Sequence, residues 1–124
     1  MISIIDDDAS VRHGTANLLQ SLGYDVVTFA SAEEFLDSDQ AEATACVISD
    51  VNMPGLSGLD LQQLLIDDGR CLPIIFITAF FSETTRAQAL AAGAIGFLSK
   101  PYHEASLIQC LDTALNRSGR QSSD

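Results

Sequence analysis

The chain has 124 residues, 47% of them hydrophobic, and carries 17 acidic against 6 basic side chains for a formal net charge of −11. So apolar a composition suits one packed domain and excludes a disordered chain. No apolar run is long enough to span a bilayer, and so acidic a surface repels nucleic-acid phosphates, which excludes this domain as a DNA or RNA binder.

The chain opens on Met1-Ile2-Ser3 with no basic flank or cleavage signal, so a cytoplasmic location is the default expectation. Cys46, Cys71 and Cys110 are widely spaced, with no CxxC and no neighbouring histidine, and read as small hydrophobes of a reducing compartment.

The first apolar run, Ile2–Ile5, ends abruptly at Asp6-Asp7-Asp8 and reads as a buried strand. A helix follows with Val11, Thr15, Leu18, Leu19 and Leu22 on one face, stopped by Gly23. Tyr24–Phe29 is a second strand. Ser31 and Glu34 have the spacing of a capping box for a short helix with Ala32, Phe35 and Leu36 inside. Thr44–Ser49 is a third strand, again halted by an acid, Asp50. Ser57 starts a helix carrying Leu61, Leu64 and Leu65. Pro73–Thr78 is a fourth strand; Ser82 and Thr84 offer caps for the helix that ends at Gly93. Ala94–Ser99 is a fifth strand, followed by Lys100-Pro101. The last helix shows the stripe Leu107, Ile108, Leu111, Ala114, Leu115. Residues 116–124 (NRSGRQSSD) are polar and small and read as a linker or tail beyond a domain of residues 1–115.

Strands alternating with helices predict an α/β fold, a doubly wound five-stranded parallel sheet covered on both faces. In such sheets the site lies beyond the carboxyl ends of the strands. Asp6–Asp8, Asp50, Thr78 and Lys100 all fall there. Carboxylates brought together at buried strand tips repel, so a cation must offset them, and a hard divalent ion such as Mg2+ is the simplest candidate. Lys100, the single lysine of the chain, suits a carboxylate or phosphoryl oxygen. The Thr78 hydroxyl can donate to the same kind of oxygen. Asn52-Met53-Pro54-Gly55-Leu56-Ser57-Gly58 is a turn-rich loop that exposes the Asn52 carbonyl as a possible metal ligand. Pro101 raises the question of a cis peptide, which sequence alone does not answer. Acids, a hydroxyl and a lysine together suggest Mg2+-assisted phosphoryl chemistry, with a carboxylate as nucleophile and an acyl phosphate as product.

IIDDD, SDVNMPGLSG, ITA and FLSKP, in this order, resemble the response-regulator receiver domains of two-component signalling, the CheY-like group, and most of all the FixJ type. The resemblance implies a flavodoxin/CheY-like (βα)5 fold with strand order 2-1-3-4-5. It implies that Asp50 accepts a phosphoryl group from the phosphohistidine of a sensor histidine kinase. Asp7, Asp50 and the Asn52 backbone carbonyl would hold Mg2+ (with Mn2+ as a substitute), Asp6 acting through water. Lys100 would bind the phosphoryl group, Thr78 would turn towards it, and Phe97 would occupy the aromatic switch position. The face built from the fourth helix, fifth strand and fifth helix would then be remodelled for homodimerisation or for contact with an output domain outside this chain, a DNA-binding domain regulating transcription. Such a domain assists its own phosphorylation and dephosphorylation and is not a turnover enzyme; no membrane partner is implied.

Some residues depart from that pattern or carry a second reading. Phe80 stands where relatives often carry a polar residue, and would slow water attack on the acyl phosphate. Asp8 reads equally as a pocket acid and as the cap of the first helix. Phe97 lacks a tyrosine hydroxyl and also reads as a plain core aromatic. His13 and His103 read as surface or loop residues and Arg86 as a solvated helical charge. Two rival functions remain in view. A haloacid-dehalogenase-like phosphatase would use Asp6-x-Asp8 as its nucleophile motif, but no later acid pair or cap insertion supports it. A flavodoxin-like FMN module needs a phosphate-cradling first loop, and DDD repels phosphate.

Overall fold

The five apolar runs form five strands, each followed by a helix: β1 (Ile2–Ile5), α1 (Ala9–Ser21), β2 (Val26–Phe29), α2 (Ala32–Asp37), β3 (Cys46–Asp50), α3 (Gly58–Asp67), β4 (Ile74–Thr78), α4 (Glu83–Ala91), β5 (Gly96–Ser99) and α5 (Glu104–Ser123). These elements come from a computed structural model that describes residues 1–123 apart from Cys71, with side chains described as far as residue 116. The reading of Cys71 as a small hydrophobe therefore lies outside the described residues, as does Asp124. The polar stretch from residue 116 continues α5 as helical backbone to Ser123.

All neighbouring strands are parallel, in the order β2-β1-β3-β4-β5. The chain runs outward from β1 to β2, then returns to β3 on the other side of β1, so the order reverses between β1 and β3. The register pairs Ile5 with Ser49, Asp50 with Ile77, and Thr78 with Ser99. The carboxyl ends of the four strands that carry chemistry therefore share one edge.

Side chains alternate between two cores. Ile5, Val47, Ile74 and Phe76 pack against Phe35 of α2, Leu61 and Leu65 of α3 and Ala89 of α4. Ile2, Ile4, Cys46, Ile48, Ile75 and Ile77 pack against Ala16 and Leu19 of α1 and Leu107, Leu111 and Ala114 of α5. Both faces are buried, which is why the strands read as continuous apolar runs. Each fully buried aliphatic side chain contributes about 1.5–3 kcal/mol. Among the described residues no helix is long and apolar enough to cross a membrane.

Helix starts follow local side-chain chemistry. Asp8 caps α1, accepting from Ser10 N and Val11 N. Ser57 and Asp60 form a full capping box on α3. Ser82, not Thr84, caps α4. The α2 box is only half formed: Ser31 accepts from Glu34 N, but Glu34 reaches one residue further back, to Ala30 N. Gly23 and Gly93 end α1 and α4 at φ +93° and +103°, a left-handed conformation that disfavours side chains.

Two expected core positions are corrected. Leu22 is the C-cap of α1 and lies 47% exposed, and Ala16 is buried further up the helix. Leu64 is 42% exposed, because Leu61 and Leu65 set the phase of α3 and carry Gln62 inward. The buried Gln62 amide is satisfied by donating from Nε2 to Ala89 O at 3.1 Å.

Candidate functional site at the carboxyl edge of the sheet

Four strand tips build one cluster. Asp50 is the last residue of β3, and Asp6 follows β1 directly; both are buried, at 7% and 4% exposure. Lys100 follows β5, with its main-chain N donating to Thr78 O at 2.7 Å and a cis bond to Pro101. β4 lies between β5 and β3, so only a long side chain from the end of β5 reaches the acids. The short Thr78 at the tip of β4 leaves that path open. Lys100 Nζ donates to Asp6 Oδ2 at 3.0 Å and to Asp50 Oδ2 at 3.1 Å. One ammonium thus ties together the ends of β1 and β3, at the point where strand order reverses.

Main-chain donors fix the remaining carboxylate oxygens. Asp8 N donates to Asp6 Oδ1 at 2.9 Å, and Asn52 N donates to Asp50 Oδ1 at 3.1 Å. Burial raises the pKa of Asp6, and the bonds from Asp8 N and Lys100 only partly offset it. For Lys100, burial alone would lower the pKa, but the hydrogen bonds to Asp6 and Asp50 outweigh it and the net shift is upward. The lysine therefore stays charged, while Asp6 is reluctant to ionise.

Asp7 is exposed and completes a group with Asp6 and Asp50 in which one carboxylate oxygen of each lies within 4.8 Å of the others. Ligands on one octahedral Mg2+ at about 2.05 Å stand about 2.9 Å apart when adjacent and about 4.1 Å when opposite. The group fits such an ion with little closing, or with one carboxylate acting through water. Asp8 lies on the exposed side, capping α1.

Thr78 is fully buried, and its Oγ1 accepts from Asn52 Nδ2 at 3.2 Å and from Phe80 N at 3.1 Å. Phe97 is half-buried against the core that contains Phe76, 6.2 Å from the Phe76 ring and edge-on to Phe81 at 5.9 Å. Phe80 and Phe81 are exposed, at 76% and 53%. The loop after β3 is held at both ends. Met53 is buried, and Leu56 N donates to Glu33 Oε2 at 3.2 Å. Gly58 lets α3 start against β3: a Cβ there would lie 2.5 Å from Asp50 O and 2.9 Å from the Phe76 ring.

His13 and His103 lie exposed, and Arg86 pairs with Glu83 on the outer face of α4, as expected. Two contributions are absent from the sequence reading. Arg12 Nη1 donates to Asp6 O at 2.7 Å and so braces the acidic loop; its place one turn beyond the cap Asp8 was the available signal. The side chain of Asn52 bonds to Thr78, whereas only its carbonyl was singled out.

The family model for the response regulator receiver domain matches residues 2–112. The transcriptional regulatory protein TdiR of Thauera aromatica is 45% identical over 114 residues, 92% of this chain and 50% of that protein. The structure of the response regulator StyR superposes with a TM-score of 0.87 at 40% identity, covering 98% of this chain and 63% of that one. The FixJ-N crystal structure gives a TM-score of 0.81 at 31% identity, covering 91% and 90%. The chain spans about half the length of the curated relatives it matches. The match over residues 2–112 and the 2-1-3-4-5 parallel sheet lead to one family: the chain belongs to the response-regulator receiver domain family.

Proposed function

We propose that Asp50 accepts a phosphoryl group from the phosphohistidine of a sensor histidine kinase. The observation that carries this reading is the Lys100 ammonium shared between Asp50 and Asp6 at the reversal point of the sheet. An Asp50 carboxylate oxygen attacks phosphorus in line, the P–N bond to the imidazole breaks, and an aspartyl phosphate forms. Two oxyanions cannot approach each other without compensating charge. Asp7, Asp50 and the Asn52 carbonyl would hold Mg2+, or Mn2+ in its place, with Asp6 acting through water, and such an ion would supply the positive charge that the phosphoryl oxygens need.

Asn52 N keeps one Asp50 oxygen oriented, and Lys100 is already in place to follow the other oxygen's charge onto the phosphoryl group. Thr78 then turns its hydroxyl to the phosphoryl group. Phe97 lies beside Phe81 and Phe76, so a shift of the β4–α4 turn that carries Phe81 passes to β5 through ring packing. The face made by α4, β5 and α5 changes as a result, to homodimerise or to engage an output domain. That output domain regulates transcription in the parent protein, a reading supported by relatives named as transcriptional regulators and by the half-length coverage. Residues 1–115 form the receiver, and residues 116–124 lead to the output domain. The protein acts in the cytoplasm, assisting its own phosphorylation and dephosphorylation without turning over a separate substrate.

Incubation with a small phosphodonor followed by intact-mass measurement tests this reading. The wild type gains one phosphoryl group with Mg2+ and none with a chelator, and Asp50→Asn gains none. A phosphoryl adduct on Asp50→Asn equal to wild type would overturn it.

A further inference from the structure

The Thr78 hydroxyl is occupied on every side. Its oxygen accepts from Asn52 Nδ2 at 3.2 Å and from Phe80 N at 3.1 Å, and its proton is directed to Phe80 O at 3.4 Å. A hydroxyl has one proton and two lone pairs, so these three partners use its whole capacity. The two Phe80 contacts are local and travel with the β4–α4 turn. The Asn52 contact is different: it comes from a residue 26 positions away, two beyond Asp50, whose main-chain N already donates to Asp50 Oδ1.

We propose that the Asn52 side chain is a latch that holds Thr78 in its resting position and must let go before the hydroxyl can reach a phosphoryl group on Asp50. The proposal rests on Asp50 being the phosphoryl acceptor and adds a positioning residue to that site. Asn52 is joined to both ends of the switch: its main chain to the acceptor carboxylate, its amide to the hydroxyl that must move. A phosphoryl group on Asp50 accepts the Thr78 proton and draws the hydroxyl out of its resting place, so part of its binding free energy is spent on breaking the bond from the Asn52 amide. Removing the amide removes that cost, while the Asn52 carbonyl and main-chain N remain.

Fluoroberyllate, which mimics a phosphoryl group on a carboxylate and is not hydrolysed, is titrated at saturating Mg2+ into the wild type, Asn52→Ala, Thr78→Ala and the double variant. Asn52→Ala should bind roughly twofold to tenfold tighter than wild type, the size of one net neutral hydrogen bond. In the Thr78→Ala background the same substitution should change nothing, because the latch then has no hydroxyl to hold. Equal or weaker binding by Asn52→Ala, or an equal gain without Thr78, would overturn the latch. The wild type also reports directly: the Asn52 side-chain amide resonances should shift on fluoroberyllate binding as the bond to Thr78 opens, and resonances that stay in place overturn the proposal. If wild type binds no fluoroberyllate, or Asp50→Ala binds it equally, the acceptor reading falls and the latch with it; if only the Asn52 difference is missing, the latch alone falls.

Discussion

Replacing Lys100 by methionine removes the ammonium and keeps most of the apolar stem. Two carboxylates then face each other with side chains only 5% and 9% exposed, against 16% for the lysine they lose. At about 3 Å and an effective dielectric of about 20, each lost contact is worth roughly 5 kcal/mol before solvation. Desolvation of the ions offsets most of that, and breaking a buried pair by removing one partner typically costs about 3–5 kcal/mol. The exposed Asp7 side of the cluster admits solvent, so a loss of about 2–4 kcal/mol is expected at pH 7 without divalent ions. Denaturant unfolding followed by circular dichroism measures it. Burial raises the pKa of Asp6, and a raised pKa means the folded state favours the protonated form. The penalty is therefore full where both carboxylates are ionised, and it shrinks as pH falls through the raised Asp6 value. Mg2+ should likewise restore more stability to the variant than to wild type, since it binds the folded acids only. A variant as stable as wild type in chelated buffer at pH 7 would mean that the ammonium does not hold the two carboxylates together.

Gly58→Ala should destabilise by about 1–3 kcal/mol, because its Cβ would meet Asp50 O at 2.5 Å and the Phe76 ring at 2.9 Å, and it should slow phosphorylation by displacing Asp50; unfolding midpoints and phosphodonor kinetics measure both. Burial pushes the Cys46 thiol up to about 12, so at pH 8 only about one in ten thousand is thiolate. Native alkylation followed by peptide mass mapping should leave Cys46 unmodified, and the stability held by its protonated form should be lost only as pH rises from 9.0 towards 12. Phe80→Glu or Phe80→His should shorten the lifetime of the acyl phosphate, since the exposed ring at the end of the β4–α4 turn would no longer keep water off; phosphate release in a chase experiment reads it.

Periodicity and punctuation made the fold legible. Near-continuous apolar runs such as Ile74-Ile75-Phe76-Ile77 correspond to strands buried on both faces, and Gly23 and Gly93 mark real helix ends. The strands start two residues later than expected at Tyr24 and Ala94, because Tyr24 N and Ala94 N bond back to the preceding helices, to Leu19 O and Ala89 O. Leu22 and Leu64 are hydrophobic but outside, since the arc a helix buries depends on which neighbours cover it. The acids, Thr78 and Lys100 were readable because each closes an apolar run. The brace from Arg12 and the Asn52–Thr78 bond were not, because each depends on where two distant segments come to lie.

Asp50, and not Asp6, is the proposed phosphoryl acceptor. Phosphorylating the wild type with Mg2+, reducing the acyl phosphate with borohydride and sequencing the peptides by mass spectrometry locates the modified aspartate. Homoserine is expected at position 50 alone; homoserine at position 6 would make Asp6 the acceptor instead.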